Sequence, residues 1–269
     1  MASATDLSGD PEIMTRPGFK VLHVQDIDQG STTPTFKLAL KQVLDWSQAH
    51  PWHVPILVLV EVKDEPIPGL PTKLIGMDQA LFSALEEEIR SVIPREQLFT
   101  PDDLRGACAT LPEAIEKNGW PTLDQARGKI MLALDNEGRL RDLYLEGHPA
   151  LRGRLMFASM DHPEHPAAAW FKINDPIRDF DRIQALARRG FLIRTRADAE
   201  TRQARANDVA QRDRALASGA QFISTDYPES VRELSPYEVR LPGGAVARLN
   251  PVSAAGGTPT IDLESRPAR

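Results

Sequence analysis

The sequence predicts an α/β protein built on a mostly parallel sheet. Short runs rich in apolar and β-branched residues alternate with segments whose apolar residues recur at helical spacing. The run Pro55-Ile-Leu-Val-Leu-Val-Glu-Val62 is apolar without alternation, as expected of a parallel strand covered on both faces. Apolar residues make up 41% of the 269 positions, enough for a buried core, which excludes wholesale disorder.

The elements follow in order. Residues 1–18 read as loop, punctuated by Gly9, Pro11, Pro17 and Gly18. Phe19-Lys-Val-Leu-His-Val24 is a short β-rich run. Thr33-Pro34 predicts a helix start, with Phe36, Leu40, Val43 and Leu44 on its apolar face and Pro51 beyond its end. The apolar run at 55–62 is the second strand. A Pro-rich loop (Pro66, Pro68, Gly69, Pro71) leads to a helix marked by Leu81, Leu85 and Ile89. Thr110 with Glu113 predicts a capping box. Lys129–Leu134 and Arg154–Ala158 are the third and fourth strands. Asp175-Pro176 starts a helix carrying Ile177, Phe180, Ile183 and Leu186, stopped by Gly190. Phe191–Thr195 is the fifth strand, an Ala/Arg-rich helix runs from about Ala199 to Ser218, and Gln221–Thr225 is the sixth strand. Beyond Leu241 the composition turns to Gly, Pro, Ser and Ala, and a disordered end is expected. The chain thus divides into an N-terminal loop (1–18), an α/β domain (19–240) and a tail (241–269).

Several function classes are excluded or disfavoured. With 32 basic against 38 acidic residues, the net charge of -6 argues against a nucleic-acid binder. No stretch is long and apolar enough to span a membrane. Cys108 is the only cysteine, so no internal disulfide framework exists. Residues 1–6 carry neither the basic nor the apolar region of a secretory signal peptide. No dinucleotide fingerprint and no phosphate-binding P-loop motif follows any strand.

In parallel α/β folds ligands bind at the C-terminal ends of the strands. Those ends carry His23, Asp26 and Asp28; Glu61, Lys63 and Asp64; Asp135 and Asn136; Arg194, Arg196 and Asp198; and Ser224, Thr225, Asp226 and Tyr227. One histidine, carboxylates and several cations suit a phosphate-containing substrate, together with a metal. The competing readings are structural. His23 could be a hydrogen-bonded core histidine, Glu61 could pair with Lys63, and the two arginines could pair with Asp198 and Glu200. The pairs His50/His53 and His162/His165 are interrupted by prolines and lack a thiolate cluster, so metal binding is not expected of them.

Taken together, Lys20–Asp28, Trp46–Pro51, Pro55–Asp64, Thr100–Asp103, Gly119–Pro121, Asn174–Pro176, Arg194–Asp198 and Ser218–Tyr227 resemble the bacterial calcium-dependent, phosphatidylinositol-specific phospholipase C family over roughly residues 12–251. The resemblance implies a (β/α)8 TIM-barrel-like fold. It implies cleavage of the glycerol-side phosphodiester of phosphatidylinositol by the inositol 2-hydroxyl, giving diacylglycerol and a 1,2-cyclic phosphate. It implies two acid–base histidines, a calcium ion held by one Asn, two Glu and one Asp, transient contact with a membrane surface, and an extracellular or periplasmic location. Carried over by position, His23 matches the second family histidine and Glu61 a calcium ligand. Lys63, Arg194 or Arg196 could hold phosphate and Tyr227 could pack against inositol, on the match of the motifs and not of an established role. The family's opening His-Asn and Glu-Leu-Asp motifs have no counterpart upstream of His23. The expectation is therefore six of eight strands, the third to the eighth, in an N-terminally incomplete chain of little activity alone. A glycerophosphodiester phosphodiesterase and a non-catalytic barrel that binds phosphate or lipid headgroups are the alternatives.

Overall fold

The computed structural model describes residues 12–28, 31–254 and 262–264. Its strands are β1 (Ile56–Val60), β2 (Ile130–Leu134), β3 (Met156–Ala158), β4 (Trp170–Lys172), β5 (Leu192–Arg196) and β6 (Phe222–Ser224). All pairings are parallel, in two three-stranded sheets ordered β1-β2-β3 and β4-β5-β6. A parallel bridge between Ser159 and Trp170 links the sheets, and the Lys172 amide donates to Ser159 Oγ at 2.9 Å. The strands therefore succeed one another in chain order, with β1 and β6 as free edges. Burial follows this order. Every residue of β2 is buried, whereas β6 is half-buried throughout and only Val60 of β1 is fully buried.

The helices among the described residues are α1 (Phe36–Ala49), α2 (Gln79–Val92), α3 (Pro101–Arg105), α4 (Leu111–Asn118), α5 (Leu123–Ala126), α6 (Gly138–Leu145), α7 (Phe180–Arg188), α8 (Arg202–Ala206) and α9 (Ala210–Ala217). Their apolar stripes face the sheets. Phe36, Leu40 and Leu44 of α1 are buried, as are Phe82, Leu85 and Ile89 of α2. Asp78 caps α2 by accepting the Leu81 amide at 2.7 Å.

Four expectations are corrected. Phe19–Val24 is not a strand. It makes one antiparallel bridge, Lys20 to Thr35, and then turns, because Asp28 Oδ2 accepts the His23 amide at 2.7 Å and Asp26 takes a left-handed φ of 64°. The first helix starts two residues later than expected, with Thr35 as its cap. The helix expected over 199–218 is broken into α8 and α9 by Asn207 at φ 48°. The strand β4 was not expected; it is three residues long, preceded by Ala167–Ala169 and by Pro163 and Pro166.

The core contains an ion pair whose two side chains are both buried. The Glu86 side chain of α2 and Arg154 before β3 are 4% and 2% exposed, with Nη1 and Oε2 3.5 Å apart. Glu86 Oε1 accepts from the Tyr144 hydroxyl at 2.6 Å and from the Leu155 amide at 2.7 Å. Tyr144 Oη in turn accepts the Met156 amide at 3.0 Å, and Arg154 Nε donates to the Tyr144 carbonyl at 2.9 Å. Burial, then the neighbouring Glu86 charge, pushes the Tyr144 phenol well above its ordinary range, so it stays a donor. The cluster ties α2, α6 and the start of β3 together.

The residues after Leu241 form a strap rather than a loose tail as far as they are described; 255–261 and 265–269 lie outside the described residues. Arg248 donates to the Leu216 carbonyl at 2.6 Å and Asn250 Nδ2 to the Gly219 carbonyl at 2.7 Å. Gly219 has φ 87°, and a Cβ there would lie 2.6 Å from Val252, so the strap seats where only glycine fits. Farther on, Glu264 accepts the Val54 amide at 3.2 Å and Arg127 donates to the Leu263 carbonyl at 2.6 Å. The described parts of the strap thus touch the base of β6 and the base of β1. It covers a cavity of about 730 Å³ lined by Leu57, Phe222, Ile223, Val239 and Leu249.

Replacing Glu86 by Ala leaves Arg154 buried without its charge partner. Equilibrium urea unfolding should show a loss of about 3–5 kcal/mol. A loss under about 1 kcal/mol, the range of an exposed pair, would refute the central role given to this cluster.

Candidate functional site

The C-terminal ends of the strands carry a continuous line of polar side chains. At β1, Lys63 Nζ donates to the His23 carbonyl at 2.5 Å and lies 3.5 Å from Glu61 Oε2. The His23 imidazole is exposed and makes no hydrogen bond to the described residues. Glu61, expected inside an apolar strand, lies just past the end of β1 and its side chain is 53% exposed, so it carries no burial cost. The structure therefore brings His23, Glu61 and Lys63 together, with His23 on a turn instead of a strand end.

The line continues through β2. Asn136 and Val62 exchange two hydrogen bonds, Val62 N to Oδ1 at 2.8 Å and Nδ2 to Val62 O at 2.9 Å, so the end of β2 is held beside Glu61. Asp135 then meets Lys172 at the end of β4. Lys172 Nζ donates to the Asp135 carbonyl, with Oδ2 at 3.5 Å and Glu137 Oε1 at 3.8 Å. Asp135 Oδ1 is buried with no partner among the described residues. Arg194 follows on β5, in register with Lys172. It donates to Asn174 Oδ1 and Ser224 Oγ, both at 2.6 Å. Burial pulls the Arg194 guanidinium below its ordinary pKa and Arg196 adds to this, while Asp135 and Asp226 favour its charge.

Arg196, two residues on, is exposed. Tyr227 is half-buried and packs edge-on against Tyr237, with ring centres 5.7 Å apart. Tyr237 reaches Asp198 Oδ2 at 3.2 Å, and Asp198 also accepts the Thr225 hydroxyl at 2.5 Å. Tyr227 and Asp198 thus belong to a clasp between β5 and β6. Lys172 and Asn174 were missed as site residues by sequence reasoning. The signal was present in Ala167-Ala-Ala-Trp-Phe-Lys-Ile173, an apolar run interrupted by one lysine, but it is too short for a confident strand. His53 is a core histidine, 2% exposed, bonded to Ser47 Oγ at 2.7 Å and the Val54 carbonyl at 2.6 Å.

Two loops frame the His23 end of the line. Asp26 accepts the Thr72 amide at 2.9 Å and hydroxyl at 2.5 Å, joining loop 21–28 to loop 65–77. Asp64 accepts the Met77 amide at 2.9 Å and Arg139 Nη2 at 2.6 Å, closing loop 65–77 onto α6. Burial works against the Asp64 charge, but Arg139 and the Met77 amide outweigh it and hold the carboxyl below its usual range.

Comparison with known proteins agrees with the sequence resemblance. A family model described as phosphoinositide phospholipase C, Ca2+-dependent, matches residues 1–251. Among solved structures, a Ca2+-dependent phosphatidylinositol-specific phospholipase C from Streptomyces antibioticus is 20% identical with a TM-score of 0.49, over 76% of this chain and 73% of that one. A calcium-dependent phosphoinositol-specific phospholipase C from Pseudomonas sp is 18% identical in each of two crystal structures. One has a TM-score of 0.46 over 60% of this chain and 57% of that one. The other has a TM-score of 0.49 over 64% and 62%. This chain therefore spans less than two thirds of the Pseudomonas protein in both. No curated protein matches.

The described residues do not make a calcium site. Among them no three His, Cys, Asp or Glu side chains converge as metal ligands. Glu61 offers one exposed carboxylate, already beside Lys63, where calcium takes 6–8 oxygens.

The Asp64 anchor gives a pH signature. Its folded pKa lies below the unfolded value of about 3.9, so its stabilisation is complete above that value and is lost as pH falls through the folded pKa. The difference in urea midpoint between the natural chain and Asp64→Asn should be constant from pH 5 to 7, as estimated from these carboxylate ranges, and shrink below about pH 4. A difference that grows on acidification contradicts the assignment.

Proposed function

Since the chain belongs to the Ca2+-dependent phosphoinositide phospholipase C family, we propose that it is a phosphodiesterase cleaving the glycerol-side phosphodiester of phosphatidylinositol. The observation that carries the reading is the family match over residues 1–251. The polar line from His23 to Arg194 supports it, because it offers cations for a phosphate beside a solvent-open imidazole. The six strands are read as part of a (β/α)8-like barrel, with the reaction at the C-terminal ends.

The inositol 2-hydroxyl attacks phosphorus, the bond from phosphorus to the glycerol oxygen breaks, and diacylglycerol leaves with a proton. The inositol 1,2-cyclic phosphate remains. His23 is the group that gives the proton to the departing glycerol oxygen. Lys63 holds the His23 main chain and faces the phosphate charge. Arg196, exposed, is the second phosphate cation. Arg194 and Lys172 shape the polar wall, since Arg194 already serves Asn174 and Ser224. Tyr227 offers its free ring face to the inositol. The chain makes transient contact with the membrane surface that holds its substrate; no helix of the described residues is long and apolar enough to cross a bilayer.

The test is turnover of phosphatidylinositol and of a glycerophosphodiester with Ca2+ present, reading products by phosphorus NMR. The expected outcome is slow formation of a cyclic phosphate, from phosphatidylinositol and not from the glycerophosphodiester. His23→Ala should lower that turnover by about 10²–10⁴. Preference for the glycerophosphodiester, or a His23→Ala chain with undiminished turnover, would overturn the reading.

A further inference from the structure

An acid–base histidine is commonly oriented through its second ring nitrogen by a carboxylate or a carbonyl. Among the described residues nothing bonds to the His23 ring; the contacts of this residue are made by its main chain. Its amide donates to Asp28 Oδ2 at 2.7 Å, and its carbonyl accepts from Lys63 Nζ at 2.5 Å. One residue is thus gripped by an anion on its N–H side and by a cation on its C=O side, five and 40 positions away in sequence. Hydrogen bonds to ionised partners are roughly twice as strong as neutral ones. The flanking residues are fixed as well. The Val21 amide donates to the Pro34 carbonyl at 3.1 Å, and the Val24 carbonyl accepts the Asp28 amide at 2.9 Å. Lys63 is steadied by Glu61 Oε2 at 3.5 Å. The backbone angles at His23 are therefore set by groups outside that residue, and those angles decide which side-chain rotamers are open to it.

We infer that Asp28 is a positioning residue for His23: it fixes the peptide from which the imidazole projects, and so aims a ring that no side chain holds directly. The inference rests on the phosphodiesterase reading above and adds the group that makes its proton donor productive. Asp28 reaches the main chain of His23 and not the ring, so it moves no proton itself. It acts with Lys63 as a two-sided clamp. Without the carboxylate, His23 is held only at its carbonyl, and the ring samples directions away from the departing glycerol oxygen. A misplacement of about 1 Å can cost on the order of 10²-fold in rate. The clamp needs an acceptor oxygen at position 28, and the side-chain amide of Asn supplies one of the same reach. Asp26, two positions earlier, does not duplicate it, because its two oxygens are committed to the Thr72 amide and hydroxyl.

The experiment compares the full chain with Asp28→Ala, Asp28→Asn and a control, Asp45→Ala, which removes an exposed carboxylate paired with Lys41 on α1. Three-bond couplings in isotope-labelled protein read the χ1 populations of His23. Turnover of phosphatidylinositol in mixed detergent micelles reads kcat, KM and the pH profile. The natural chain and the control should each show one dominant χ1 rotamer. Asp28→Ala should spread the ring over several rotamers and lower kcat about tenfold or more, with KM and thermal unfolding unchanged. Asp28→Asn should restore the single rotamer and most of the lost kcat, with the shape of the pH profile kept. A ring already spread over rotamers in the natural chain overturns the inference, as does an Asp28→Ala chain with undiminished kcat or with a loss in KM alone. An Asp28→Asn chain as slow as Asp28→Ala, with one limb of the pH profile gone, also overturns it, because Asp28 would then carry a proton. The couplings need no turnover. A natural chain that leaves phosphatidylinositol intact, yet loses its His23 rotamer on Asp28→Ala, overturns the phosphodiesterase reading and upholds the clamp.

Discussion

The carboxylate of Glu86 is the constraint on which the rest of the arrangement depends. A charge buried this deeply is tolerated only if its oxygens are matched, and they are matched by Tyr144 of α6 and by the adjacent Arg154 and Leu155, all far along the chain from Glu86. Satisfying it sets α2 against α6 and fixes the backbone that enters β3. β3 then delivers Ser159, the residue through which the two sheets are joined. Lys172 sits one step farther along that junction, so the meeting of Lys172 with Asp135 inherits its position from a side chain on the other side of the core. The stacking of Arg154 on the Tyr144 ring, 4.4 Å from guanidinium carbon to ring centre, adds shape to what is otherwise an electrostatic demand.

Much of the fold was legible because its strongest signals are local. The apolar runs at 55–62 and 129–134, the helix marked by Leu81, Leu85 and Ile89, and the stop at Gly190 each state their conformation in a few neighbouring residues. The errors arose where distant partners decide. Phe19–Val24 has strand composition, yet Asp28 captures the His23 amide and no strand pairs with it beyond one bridge. β4 has only three residues and exists because Ser159 and β5 flank it. The described part of the tail is seated on Gly219 and Arg127, far upstream, which its composition could not show; the end expected to be disordered lies outside the described residues.

The site shows the same division. His23, Glu61 and Lys63 were singled out from sequence and do meet, since two of them are two residues apart and the third is pulled in by a single lysine hydrogen bond. Arg194 was singled out for phosphate, and its buried commitments to Asn174 and Ser224 could not be read from a one-dimensional pattern. Lys172 escaped notice because its strand did. Glu61 and Asp135 each lie near a lysine, and among the described residues no three potential metal-ligating side chains converge.

The strap has a consequence for how the molecule is made. The hydrogen bond from Val54 to Glu264 spans 210 positions in sequence. During synthesis, β1 emerges about 210 positions before the carboxylate that accepts the Val54 amide beside it. Until then the apolar wall of Leu57, Phe222 and Ile223 stands open to whatever else is extended and sticky nearby. The nascent chain therefore passes through a long interval in which its hazard is greatest, and the clasp fastens only once Glu264 has emerged. A chain lacking residues 262–264 would never leave that interval.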